Sequence, residues 1–301
     1  MGILDEVLAV TDNMRRVAAR NVSDLVNDPK NAIAKTLYAG AETGQEQIKA
    51  VEAGDVSSLV PGGSSAAKML GTFGGVGSKT FPHAKAVLYQ RAVDRGMPAA
   101  KATEITGIWK GPDGQLRYEI PDTGMKLKGI PKADPKYTID MYNLEHDELL
   151  KAYPQLESLI KKTKPVVDPD IPAPKGQYKG SAWNEPEISV TAPDIPSLRS
   201  TTAHELQHAI QRIEKFAKGG SPNMFVPETS AQLKAMGNFL PPQEAAKAEG
   251  LTPFEAYRRL AGEVEARAVE GRLQYSDMGV TPPVNPIDSY DVPFDKMLIR
   301  K

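Results

Sequence analysis

His204-Glu205-Leu206-Gln207-His208 brings together the residue types best suited to chemistry in this 301-residue chain. On a helix, positions i and i+4 lie one above the other on the same face. Two imidazoles so placed can bind one Zn²⁺, and the glutamate between them can reach a water beside the metal, which is the arrangement of metal-assisted peptide hydrolysis. Three fixed positions arise by chance in roughly one chain in a hundred of this length, so the surroundings must decide. Ala203, Leu206, Ile210, Ile213 and Ala217 form an apolar stripe at intervals of three and four. Measured from Leu206, the two histidines lie about 160° and 200° away on the helical wheel. The stripe therefore packs the helix while the histidine pair faces elsewhere, with Gln211 nearby. Ser197 or Ser200 is expected to cap the start of this helix, and Gly219-Gly220 to end it.

A zinc site needs a third protein ligand. A glycine turn followed by a ligand just downstream is disfavoured, because Gln211 and Glu214 occupy those places and the helix runs through them. A carboxylate from a later helix is the other solution. Residues 255–270 offer Glu263 and Glu265, which lie about 200° apart on the wheel and cannot both face one metal. Tyr257, Leu260, Ala261, Val264 and Ala268 form the apolar stripe there. Glu265 borders it at about 70°, whereas Glu263 lies near 130°, off the stripe as the histidines are. Glu263 is therefore preferred, with Glu265 as the alternative, and Gly262 before it would allow close approach of another helix. Tyr257, Arg258 or Arg267 could stabilise an oxyanion, and spacing does not choose among them.

These residues need elements to position them. Long helices are expected at about 198–218 and 253–273, and shorter ones at 84–100 and Asp147–Tyr153. Thr106–Lys110 and Leu116–Ile120 flank Gly111-Pro112-Asp113-Gly114 and read as a hairpin. Glu187–Val190 reads as a strand, and the Pro-rich stretch 165–175 as a loop. Trp109 and Tyr118 read as hairpin packing, and His146 as an exposed or capping residue. Before residue 80 the pattern changes. Residues 3–28 carry an amphipathic stripe through Ile3, Val7, Val10, Met14 and Val17, and a second helical stretch runs to about 53. Gly/Ser-rich pieces at 57–65 and 71–78 read as linker, the second apolar enough to insert into a partner. The expected organisation is an extension over 1–80 and an α+β domain over 81–301, a small sheet beside a few helices.

Composition sets the limits. Net charge is −1 and the pI near 6.5, so no global basic field or direct nucleic-acid signature is present. Without cysteine, any metal must be held by histidine and carboxylate. The N-terminal residues lack a signal-peptide pattern, and no apolar run is long enough for a transmembrane segment.

Several blocks occur together in order: Thr106–Asp122, His146–Pro154, Ser200–Gln211 and Gly262–Arg267. In this combination, over about residues 85–275, the chain resembles the metallopeptidase-like domain attached to large polyvalent proteins of phages and conjugative elements. That family is similar in its motifs to gluzincins, where the first Glu of a Glu-x-x-Ala-Asp/Asn pattern on a later helix completes the zinc site. The resemblance implies a zincin-like fold, Zn²⁺ on His204, His208 and Glu263, and Glu205 as catalytic base acting on a protein or peptide. Arg267 stands where the family's Asp or Asn would follow. The resemblance also implies a mobile-element setting: a phage-encoded, virion-associated or ejection-type metallopeptidase, in the virion or the host bacterial cytoplasm. Residues 1–80 would then assemble with other virion proteins. The alternatives are a structural virion protein keeping an inactive metallopeptidase-like fold, and a toxin-like effector.

Overall fold

The computed structural model describes residues 71–121, 125–127, 137–138, 144–163, 166–179, 186–226, 241–277, 283 and 285–300. The expected amphipathic helices before residue 53, with the Ile3–Val17 stripe, and the linker at 57–65 lie outside the described residues. The chain divides into two compact units, Met1–Ala66 with Pro82–Ile108 and Ala67–Phe81 with Trp109–Lys301.

Of the first unit, two helices are described, α1 (His83–Asp94) and α2 (Ala99–Thr106). A single helix over 84–100 was expected. Gly96 at φ 88° and Pro98 ahead of α2 break it in two. Thr106 closes α2 rather than opening the hairpin, with Gly107 as its left-handed cap.

The second unit opens with β1 (Phe73–Gly74), which pairs antiparallel with β3 (Leu116–Glu119). β2 (Ile108–Lys110) completes this sheet in the order β1-β3-β2, so the expected hairpin is present and gains a third strand. That strand comes from the supposed linker at 71–78. It is core instead: Phe73 is fully buried and meets the Trp109 ring edge-on at 5.0 Å. Two-stranded pairing joins β4 (Lys126–Leu127) to β6 (Leu144–Glu145). Then α3 (Asp147–Ala152) is capped by His146, whose Nδ1 accepts from the Leu149 amide, and α4 (Leu156–Lys162) follows. His146 is thus a cap, but a buried one.

A four-stranded sheet forms one wall of the site. It contains β5 (Tyr137–Thr138), β7 (Val166–Val167), β8 (Lys175–Lys179) and β9 (Glu187–Ala192), in the order β5-β7-β9-β8. The stretch 165–175 is therefore not all loop, since both of its ends enter strands. β9 alternates, with Ile188, Val190 and Ala192 buried and Glu187 and Ser189 exposed, as a strand with one covered face must. β8 pairs antiparallel with it over five residues and is the outer strand among those described.

β9 leads straight into α5 (Ile195–Glu214), which packs on β8 and β9. Asp194, not Ser197 or Ser200, caps α5: its carboxylate accepts from the Ser197 amide at 2.8 Å. The helix stops earlier than expected, at Lys215, which adopts φ 59°. Residues 216–220 run on without helical structure. α6 (Pro241–Ala248), α7 (Pro253–Arg258) and α8 (Ala261–Asp277) complete the unit. The expected single helix over 253–273 is broken between α7 and α8. There the Leu298 amide donates to the Arg259 carbonyl, and the Ala261 amide to the Leu298 carbonyl. The whole is α+β, and among the described residues no helix is long and apolar enough to cross a membrane.

Candidate metal centre

α5 and α8 pack against each other, and the polar face of α5 is covered as well as its apolar stripe. Gln207, inside the five-residue motif, is fully buried. Its amide accepts from the Phe73 N–H at 2.8 Å and donates to the Phe73 carbonyl at 3.1 Å, fixing α5 to β1. Glu214, the last residue of α5, accepts from the Tyr153 hydroxyl at 2.6 Å and from the Gly77 amide at 2.9 Å. It is thereby committed to the loop after β1.

His204 and His208 project from α5 into a cleft of about 990 Å³, and Glu263, in the first turn of α8, meets them there. His208 Nε2 lies 3.4 Å from Glu263 Oε1, and His204 Nε2 lies 3.7 Å from Glu263 Oε2. The other ring nitrogens are fixed from behind. His204 Nδ1 lies 3.1 Å from Glu270 Oε2, and His208 Nδ1 lies 2.9 Å from Gln211 Oε1. Both partner oxygens accept, so both Nδ1 atoms carry a proton, and each Nε2 is the nitrogen that a cation beside Glu263 would take once it is deprotonated. Gln211 is itself held, donating to the Gly262 carbonyl at 2.9 Å and to Glu265 at 3.1 Å.

The fit to a metal follows from these distances. Ligand atoms about 2.0–2.2 Å from a tetrahedral Zn²⁺ sit about 3.3–3.5 Å from one another, close to the spacing found here. The three ligand atoms all lie within 4.8 Å of one another. With no cysteine, the donor set is two imidazoles and one carboxylate, which suits zinc. Two carboxylates beside His204 favour positive charge at the site. Burial opposes charging His204, but Glu263 and Glu270 win and push its pKa up to about 10. Burial would raise Glu263, yet the two histidines hold it down at about 2.

Backbone approach shapes the walls. A Cβ added at Gly219 would lie 2.1 Å from Glu263 Oε1 and 2.6 Å from His208 Cε1, and one at Gly176 would lie 2.3 Å from Glu205 Oε1. Gly262 does permit a close approach, but of the extended backbone at Lys218-Gly219 rather than of a helix. Glu205 is buried on the β8 side of the cleft. Burial raises its pKa, against the pull of the two histidines and a hydrogen bond from the Tyr178 amide.

The structure thus brings Glu263, not Glu265, to the histidines. Glu265 turns the other way and pairs at 2.7 Å with Arg117, a wholly buried guanidinium that also bonds Asp113 at 2.9 Å. Of the three oxyanion candidates, Tyr257 reaches the cleft and hydrogen-bonds Glu263. Burial, then the Glu263 charge, raises its pKa and keeps the hydroxyl protonated. Arg258 and Arg267 instead bond Asp291 at 2.8 Å. Glu270 was missed in the sequence. It lies seven residues after Glu263, about 20° away on the same helical face, and that spacing was the available signal. Arg300, which also lines the cleft, had none. In comparisons with protein-family models, curated proteins and solved structures, nothing matched this chain.

Proposed function

We propose that this chain is a zinc-dependent hydrolase of peptide bonds with a zincin-like active site. The observation that carries the reading is the convergence of His204 Nε2 and His208 Nε2 on Glu263, with both Nδ1 atoms held from behind and Glu205 in the same cleft. When bound, zinc supplies Lewis acidity toward a carbonyl oxygen and makes water more acidic. Glu205 takes the proton of the attacking water, and its buried carboxyl, held by the Tyr178 amide, passes it to the leaving amine. By swinging its single O–H away from Glu263, Tyr257 could donate to the oxygen on which negative charge develops. Glu270 and Gln211 hold the imidazole rings.

A peptide is favoured as substrate because β8 lies along the cleft: Lys175, Gly176, Gln177 and Tyr178 all line it. The outer edge of a sheet offers main-chain groups to which an extended chain adds as a further strand. A phage setting and assembly through residues 1–80 rest on the family resemblance alone.

Metal analysis with a peptide-library digest tests this reading. Wild type and Glu205→Gln should each hold about one zinc, and His204→Ala almost none. Cleavage should fall about 100-fold or more in Glu205→Gln. Wild type with zinc bound that cleaves no peptide, or Glu205→Gln cleaving at the wild-type rate, refutes the proposal.

A further inference from the structure

The charges lining the cleft are unequal. Its carboxylates, Glu205 and Glu263, both belong to the metal centre, and with two neutral histidines they balance a divalent cation. Lys175, Lys218 and Arg300 remain in the lining, beside Arg212, which is bonded to Tyr178. The chain as a whole carries a net charge of −1, so this excess is local.

These cations lie on two sides. Lys175 opens β8 next to Gly176, which abuts Glu205, and Arg212 bonds the neutral Tyr178 hydroxyl on the same strand. Lys218 and Arg300 lie beside Gly219, which abuts Glu263 and His208. Arg300 is held in place: its guanidinium donates to the Gly219 carbonyl and its own carbonyl accepts from the Lys218 amide at 2.7 Å. Among the described residues no carboxylate forms an ion pair with Lys175, Lys218 or Arg300. Half-burying a guanidinium against a backbone carbonyl costs hydration, which a bound anion restores.

We propose that the cleft selects acidic peptides, with Asp or Glu side chains on both sides of the metal centre read by Lys175 on one wall and by Lys218 and Arg300 on the other. This rests on the peptide-hydrolase reading. A nucleic acid fits less well, because Glu205 and Glu263 interrupt the basic lining where a phosphate backbone would need a continuous track.

Fluorescence anisotropy on the zinc-loaded, full-length Glu205→Gln protein reads binding without turnover. The probes are two labelled ten-residue peptides with a central Ala-Leu, flanked in one by Asp and Glu and in the other by Asn and Gln. At about 50 mM salt the acidic peptide should bind at least about tenfold more tightly, and the advantage should shrink several-fold near 500 mM. Added to this background, Lys175→Gln, whose side chain is exposed, and Arg300→Gln should each remove about threefold or more of the advantage. In Lys175→Gln, binding of the neutral peptide should stay within about twofold. Equal affinity for the two peptides overturns the proposal, as does equally tight binding of an oligothymidylate of matched charge. An acidic preference retained while the zinc-loaded wild type cleaves neither peptide supports this proposal and sinks the hydrolase reading.

Discussion

Two glycine substitutions should separate metal binding from turnover. At Gly219 an added Cβ falls 2.1 Å from Glu263 Oε1 and 2.6 Å from His208 Cε1, and at Gly176 it falls 2.3 Å from Glu205 Oε1. Non-bonded carbon and oxygen need more than about 3 Å, so each carboxylate must retreat by about an ångström. A carboxylate at the end of a flexible side chain can retreat cheaply, so neither Gly219→Ala nor Gly176→Ala should cost more than about 1 kcal/mol of fold stability. A metal ligand tolerates only about 0.2 Å. Gly219→Ala should therefore weaken zinc binding by about 10- to 100-fold, equivalent to about 1.4–2.8 kcal/mol.

Gly176→Ala should leave zinc affinity within about twofold and lower peptide cleavage by about tenfold or more, because it moves the base and not a ligand. Competition with a chromogenic chelator gives the affinities, and urea denaturation of the metal-free proteins gives the stabilities. Wild-type zinc affinity in a folded Gly219→Ala protein would refute Glu263 as the third ligand. Equal loss of zinc in both variants would refute the separation of Glu205 from the ligand set.

Glu270→Gln keeps an acceptor for His204 Nδ1 but removes its charge, and should weaken zinc binding by about tenfold, while Glu270→Ala should weaken it further; equal affinity in all three proteins would show that Glu270 does not position the ring. Arg117→Leu strands Asp113 and Glu265 as buried carboxylates, and should cost about 3–5 kcal/mol in urea denaturation; a loss below about 1 kcal/mol would mean that water reaches the pair. Removing residues through Thr80 takes away Phe73 and both partners of the Gln207 amide, so a chain beginning at Phe81 should be less stable by about 3 kcal/mol or more than one beginning at Ala67. Equal stability of those two chains would show that β1 is dispensable.

What could be read in the sequence was the part fixed by local periodicity. The i, i+4 spacing of His204 and His208 and the off-stripe position of Glu263 depend only on helical geometry, and the three side chains do converge. The segment at 71–78 was misread because glycine suits both a flexible linker and close packing. Here packing decides: a Cβ at Gly74 would lie 2.6 Å from the Tyr118 ring, so the glycine lets β1 seat on its neighbour. Glu265 borders the apolar stripe, and a distant partner, Arg117 on β3, settled its direction. No pattern within α8 contains that information.

The break between α7 and α8 shows how such distant contacts build the site. The apolar stripe through Tyr257, Leu260, Ala261 and Val264 continues across the break, so periodicity alone predicts one helix. On an unbroken helix Tyr257 and Glu263 would lie about 120° apart and six residues along the axis, too far round for the hydroxyl to reach the carboxylate. Inserting Leu298 between the Arg259 carbonyl and the Ala261 amide satisfies the backbone groups that the break frees, so the turn costs little hydrogen bonding. It also lets Tyr257 bond Glu263. Two residues further on, the same segment carries Arg300 to the Gly219 wall. One short run of chain near residue 300 thus sets both the angle between α7 and α8 and the charge beside the third ligand. Loosening it should therefore disturb the metal centre and the acidic-peptide preference together, whereas Lys175→Gln disturbs only the preference.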